Sequence, residues 1–210
     1  ARPASSLVFD RTKEGKPYLK DDTSSFNFNV SHHGEWVVIA AHPHKLVGVD
    51  VMRYERPRGC RSCVEFFDTM RSSFTEREWR AIRGAQTEEQ QLRLFYRHWC
   101  LKESYIKAIG IGLGFELKRM DFDYRDSGLS EARLDVDGAA QKEWKFSLQD
   151  LDAEHCVVIA QGPRALALGE LRRPAAANDA AASVRDGTEP LPQFVRCALQ
   201  SIIEDLTIKT

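Results

Sequence analysis

Three side chains in two short stretches carry the groups most able to do chemistry. WCLKESYIKAIG, residues 99–110, holds Glu103 and Lys107, and LVGVDV, residues 46–51, holds Asp50. On a helix advancing about 100° per residue, Leu92, Phe95, Tyr96, Trp99 and Ile106 fall on one stripe, with Glu103 in its middle and Lys107 at its edge. Leu94, Leu101, Tyr105 and Ala108 form a second apolar face, so this helix should be sandwiched in the core. An ionised carboxylate among apolar groups needs a partner. Two are open: Lys107, since a Glu–Lys pair at i,i+4 contributes about 0.2–0.5 kcal/mol, or a ligand or metal. Asp50 raises the same question. In a strand, Val47, Val49 and Val51 share one face and Gly48, Asp50 and Met52 the other. Aspartate is disfavoured in strands; an edge position facing water would explain it, and so would a bulky ligand in the room left by Gly48. Two carboxylates in separate elements suit a shared hard cation such as Mg²⁺, which takes one or two carboxylates, keeps waters and binds substrate phosphates.

Basic groups near such a site would meet phosphate. Arg11 and Lys16 bracket RTKEGK, where Gly15 allows close backbone approach, and His32 in SHHG could donate to a phosphate oxygen. Each also has a plain reading as a solvated loop or turn residue. Other patterns carry less. GIGLGF, residues 110–115, follows a helix rather than a strand and lacks a dinucleotide-binding context. Ser31, His32 and His33 are adjacent and point apart, with no nucleophile elbow around them. His42 and His44 have no partner cluster, and CRSC, residues 60–63, is a lone CxxC read as a surface loop.

The elements that must position these groups follow from pattern. Strands are expected over 26–30, 35–41 and 46–51, with SHHG and HPHK as turns. Thr75 and Glu78 form a capping box, with Phe74 and Trp79 as its staple, so a helix should run to about Arg83. The central helix should run from about Thr87 to Ile109 and end on glycine. Short strands are expected near 119–124, 131–136, 143–148 and 155–161, with a turn at Asp137-Gly138. Residues 163–190 read as a flexible tail, and 191–210 as an amphipathic helix through Phe194, Val195, Ala198, Ile202 and Leu206. The fold class is α+β, long helices packed on antiparallel strands. With 210 residues the chain can build one good core or two small lobes, and its net charge of −1 argues against non-specific nucleic-acid binding. No apolar run approaches the ~20 residues of a membrane span. Five irregularly spaced cysteines suit reduced thiols in the cytosol.

Taken in order, GKP (15–17), FNVSHHG (28–34), VGVD (47–50), FTEREW (74–79) and WCLKESYIKAIGIGLGF (99–115) resemble the Sfp-type 4′-phosphopantetheinyl transferases, the broad-range cytosolic animal members above all. The resemblance covers about residues 8–162. It implies transfer of phosphopantetheine from coenzyme A to a serine of an acyl carrier protein or carrier domain, with 3′,5′-ADP as the other product. It implies Mg²⁺ on Asp50 and Glu103, Glu103 as base for the serine, and Lys107 on the α-phosphate. Arg11 and Lys16 would bind the nucleotide phosphates, with Asn29, Val30, Ser31 and His32 as the adjoining wall; Lys102 would be secondary. Fatty-acid synthase and the aminoadipate-reducing enzyme of lysine metabolism are the carriers the family suggests. Met52 stands where many bacterial relatives have a third acid, and His33 where animal members have glutamine. The family has two pseudo-symmetric lobes, sufficient as a monomer. Residues 1–44 are expected to be a remnant of the first lobe and 45–162 the second, metal-binding lobe, in an incomplete sequence. The competing expectations are a non-catalytic remnant that binds carrier protein or coenzyme A, and another Mg²⁺-dependent phosphohydrolase.

Overall fold

The structure, a computed structural model, describes residues 6–20, 26–124, 132–166 and 195. Over these the fold is α+β and the strand pairs are antiparallel. Two hairpins come first: β1 (Phe9–Arg11) with β2 (Pro17–Leu19), and β3 (Asn27–His33) with β4 (Trp36–His42). Then come β5 (Leu46–Arg53) and the helices α1 (Cys63–Thr69), α2 (Glu76–Arg83) and α3 (Glu88–Ile109). β6 (Met120–Asp123), β7 (Arg133–Val136) and β8 (Ala139–Ala140) make a small sheet, while β9 (Lys145–Asp150) and β10 (His155–Gly162) join β5 in the order β5-β10-β9. The expected tail and C-terminal helix lie outside the described residues, apart from 163–166 and 195.

Local chemistry sets the element ends. The Thr75–Glu78 capping box starts α2, and Thr87 with Gln90 repeats the device at α3. Gly110, at φ 74°, closes α3. Asp137 and Gly138 sit at φ 52° and 78°, the left-handed pair a two-residue hairpin turn needs. Two expectations shift. The first strand continues to His33 and the turn falls on Gly34 and Glu35, so Ser31 and His32 are strand residues. CRSC is not simply a surface loop: Ser62 caps α1, and Cys63 is its buried first residue.

α3 lies across β5 and β10. From Phe95 to Gly110 every position is buried except Trp99, Glu103 and Lys107, which are spaced four apart and form one line along the helix. Phe66, Phe67, Phe74 and Trp79 pack round its first half. On its strand side the decisive residue is Gly48. A Cβ there would stand 2.0 Å from the Ser104 carbonyl oxygen and 2.4 Å from the Ala108 nitrogen. The room beside Asp50 is therefore filled by the helix backbone, not by a bulky ligand as the sequence suggested. On the other face of β5, Val47, Val49 and Val51 pack with Val157 and Ile159 against Val38 and Ala40 of β4.

The outer edge of β5 is covered in an unusual way. Alternate N–H groups of an antiparallel strand point away from its partner. Those of Val47, Val49, Val51 and Arg53 donate to Asn27 Oδ1, Asn29 Oδ1, Ser31 Oγ and His33 Nδ1, at 2.9, 3.0, 3.4 and 2.9 Å. One face of β3 thus stands in for a backbone partner, and the edge is closed by side chains.

Gly48→Ala is expected to lower unfolding stability by about 3 kcal/mol, since backbone cannot yield as a side-chain tip can; a urea midpoint equal to wild type would contradict the close packing. His98 generates a pH dependence. It is fully buried, with Nδ1 2.8 Å from Leu94 O, and burial pushes its pKa down to about 4. An unfolded histidine titrates near 6.5, so between about 4 and 6.5 the unfolded chain holds more protons and stability falls as pH falls. Urea unfolding from about pH 7 to about pH 5 should show a loss of about 2 kcal/mol from this residue. His98→Gln should remove that part of the slope.

Candidate active site

A cleft of about 880 Å³ opens between the β1–β2 turn, β3 and the end of α3, lined by Arg11, Lys16, Val30, His32, Glu103 and Lys107 among others. Glu103 and Lys107 reach it because they lie on the one line of α3 that the core leaves half-open. Gly110 and Gly112 line it too, so the glycine run shapes the cleft as a helix end rather than as a phosphate loop.

Asp50 lies next to the cleft and is only 5% exposed. It faces α3, so the reading of an edge aspartate in water does not hold. Its Oδ1 accepts from Lys107 Nζ at 2.6 Å and from Ser31 Oγ at 2.9 Å, and Lys107 Nζ also donates to Ser31 Oγ at 2.8 Å. Lys107 therefore pairs from helix to strand, not back along the helix to Glu103. Asp50 Oδ2 is buried with no hydrogen-bond partner. Among the described residues the Glu103 carboxylate also has no hydrogen-bond or ion-pair partner. Burial first, and the charge of Asp50 second, push the Glu103 carboxyl up from its ordinary value, while Lys107 pulls it down. Two under-compensated carboxylates thus share one half-dry neighbourhood. That oxygen donor set fits a hard divalent ion, although no group of three or more His, Cys, Asp or Glu side chains suited to a metal occurs among the described residues.

The other expected residues divide. Arg11 is exposed on the cleft wall, with one donor engaged by Gly15 O at 2.9 Å. His32 and Val30 turn outward from β3 into the cleft. Asn29 also lines the cleft, but the side chains of Asn29 and Ser31 turn inward and hold β5. Lys16 differs from expectation. Its Nζ donates to three carbonyl oxygens, Val47 O, Lys107 O and Ala108 O, at 2.8, 2.9 and 2.7 Å, which leaves an ammonium no further N–H for a phosphate. Lys102, about 100° round the helix from Glu103, points away from the cleft. It is fully buried against Glu78 at 2.7 Å and donates to Leu117 O and Met120 O. Burial draws the Lys102 pKa down and the Glu78 pKa up, each opposed by its partner. His33 takes the fourth place on the β5 edge, outside the cleft lining. Sequence reasoning missed that structural role, although the polar alternation Asn27, Asn29, Ser31, His33 signalled a strand face made of acceptors.

A family profile described as 4'-phosphopantetheinyl transferase superfamily matches residues 46–160, the span that contains Asp50, Glu103 and Lys107. The chain belongs to this superfamily. A second profile, described as 4'-phosphopantetheinyl transferase, N-terminal, matches residues 1–44. A phosphopantetheinyl transferase of Thraustochytrium sp. is 51% identical over 160 residues, 73% of this chain and 55% of that protein. The human L-aminoadipate-semialdehyde dehydrogenase-phosphopantetheinyl transferase is 45% identical over 75% of this chain and 54% of its own length. The Rattus norvegicus protein of the same name is 41% identical over 90% of this chain and 60% of its own. The chain thus spans little more than half the length of the curated phosphopantetheinyl transferases it matches. Among solved structures, Thermotoga maritima holo-[acyl-carrier-protein] synthase aligns with a TM-score of 0.41 and 20% identity, over 57% of this chain and 64% of that one.

In this member of the superfamily the Asp50–Lys107 contact should be measurable without substrate. Lys107→Met alone leaves a buried carboxylate short of its cation and is expected to lower stability by about 1–3 kcal/mol. Asp50→Asn in the same chain should recover part of that loss. A double-mutant cycle in urea with a coupling near zero would remove the pair from the account.

Proposed function

We propose that the chain transfers 4′-phosphopantetheine from coenzyme A to a serine hydroxyl of an acyl carrier protein or carrier domain. The observation that carries this reading is the pair of under-compensated carboxylates, Asp50 and Glu103, beside the Lys107 ammonium at a cleft in a chain of this superfamily. Asp50 and Glu103 are the residues that would hold a divalent ion, Mg²⁺ by donor type, and when bound it would draw negative charge from the pyrophosphate.

The chain's own groups supply the rest. The Glu103 carboxylate, at the cleft and without a described hydrogen-bond partner, accepts the proton of the carrier serine. The serine oxygen forms a bond to the phosphorus that bears pantetheine, and the bridging P–O bond breaks toward the nucleotide. Lys107 balances the charge that gathers on the departing phosphate of 3′,5′-ADP. Arg11 and His32, on the cleft wall, receive the remaining phosphate oxygens, and Val30 supplies apolar contact beside them. Asn29 and Ser31 act one step back, by fixing β3 to β5.

The names of the animal relatives make an aminoadipate-semialdehyde dehydrogenase one candidate carrier. A cytosolic setting agrees with free thiols at Cys60, Cys63, Cys100 and Cys156, and a monomer suffices for a site built within one chain. A division into two lobes near residue 45 is supported by the change of family profile between residues 44 and 46.

The test is the mass of an apo-carrier after incubation with coenzyme A, Mg²⁺ and the protein. A gain of one phosphopantetheine is expected from wild type, and chelation should abolish it. Glu103→Gln and Asp50→Asn should each slow the gain by about 100-fold or more. Activity within a few-fold of wild type for both would remove the acids from the chemistry. Coenzyme A binding without any gain would favour a non-catalytic binder, and phosphate release without carrier a hydrolase.

A further inference from the structure

Lys16 is 5% exposed, and among the described residues its Nζ donates to three carbonyl oxygens. Two of these, on Lys107 and Ala108, belong to the last turn of α3, where backbone acceptors have no helical partner. The third, on Val47, sits on the β5 edge beside Gly48, where helix and strand approach most closely. A cation at this place also meets the negative end of the helix dipole. The lysine arrives from a closed turn: Thr12 N donates to Lys16 O, Lys16 N to Thr12 Oγ1, and Arg11 Nη1 to Gly15 O. The turn in turn rests on α3's end, since Glu14 Cβ lies 3.2 Å from where a Cβ on Gly112 would be.

We propose that Lys16 is a positioning residue: it caps the end of α3 and ties it to β5, and so holds Lys107 on Asp50 and Ser31. The consequence for catalysis rests on the transfer reading above; the capping itself does not. Lys107 supplies both a carbonyl to Lys16 and an ammonium to Asp50, so a helix end that frays moves the same residue that faces the acids. Burial draws the Lys16 pKa down to about 7.

Lys16→Met in the full chain keeps the stem and removes the donors. Without substrate, amide exchange at Gly110, whose N–H bonds to Ile106 O, should become about tenfold faster or more. With coenzyme A as the varied substrate, at a temperature where the variant is folded by circular dichroism, kcat should fall about tenfold while KM changes less than about threefold. Unchanged exchange overturns the cap. A large rise in KM at constant kcat overturns positioning and makes Lys16 a phosphate ligand. Faster exchange with both constants unchanged reduces Lys16 to scaffold and overturns the catalytic half. If wild type transfers nothing, the transfer reading fails and the exchange result still decides the cap. Should Lys16→Met not fold, Thr12→Ala, which loosens the turn that delivers the lysine, carries the same readouts.

Discussion

The arrangement depends on one close approach, that of α3 to β5 at Gly48. A helix normally stands off a sheet by the length of the intervening side chains. Here the strand offers no side chain at the crossing, and the helix backbone settles against it. Asp50 is the next residue on that face of the strand. Glu103 and Lys107 flank Ser104 and Ala108, the two residues that meet Gly48. The crossing therefore puts two carboxylates and an ammonium, all borne by regular elements, into one small volume. Groups held on regular elements keep their geometry better than groups on loops.

Neighbouring residues on α3 show how completely surroundings decide the fate of a charge. Lys102 and Glu103 are adjacent, about 100° apart on the helix, and meet different surroundings. Lys102 is sealed with Glu78, whose carboxylate also receives the N–H groups of Thr75 and Phe122. That pair is satisfied on every side and ties α2, α3 and β6 together. Glu103 and Asp50 are not satisfied in that way: one carboxylate lacks a described partner, and the other keeps a buried oxygen without one. Buried polar groups in native proteins are nearly always paired, and the incomplete set beside the cleft is what supports the proposed ligand site.

The strands around the site are joined by two kinds of bonding. β10 holds β5 through a regular backbone ladder, and β3 holds it through Asn27, Asn29, Ser31 and His33. The second kind leaves the outward residues Val30 and His32 to the cleft while the inward ones carry the load. This is why four consecutive positions, 29 to 32, cannot share one role: alternation along the strand sends each to the opposite side from its neighbours.

Much of this was legible without coordinates. Both residues of the α2 capping box, the course of α3, the faces of β5, the Asp137-Gly138 turn and the oddity of Glu103 and Asp50 are local patterns, written in residue type and spacing. Periodicity could not say which of several half-apolar lines on α3 would face a cleft, because the helix is enclosed from α1, α2 and two sheets at once. Nor could it say that Gly48 yields to a helix, that Lys107 crosses to Asp50, or that Lys16 ends on carbonyls 31, 91 and 92 residues away in sequence. The sequence by itself determined which elements form and that two acids stand in the wrong surroundings. Only the tertiary structure decided which groups meet those acids, because a long side chain finds its partner by distance in space and the chain order carries no record of that distance.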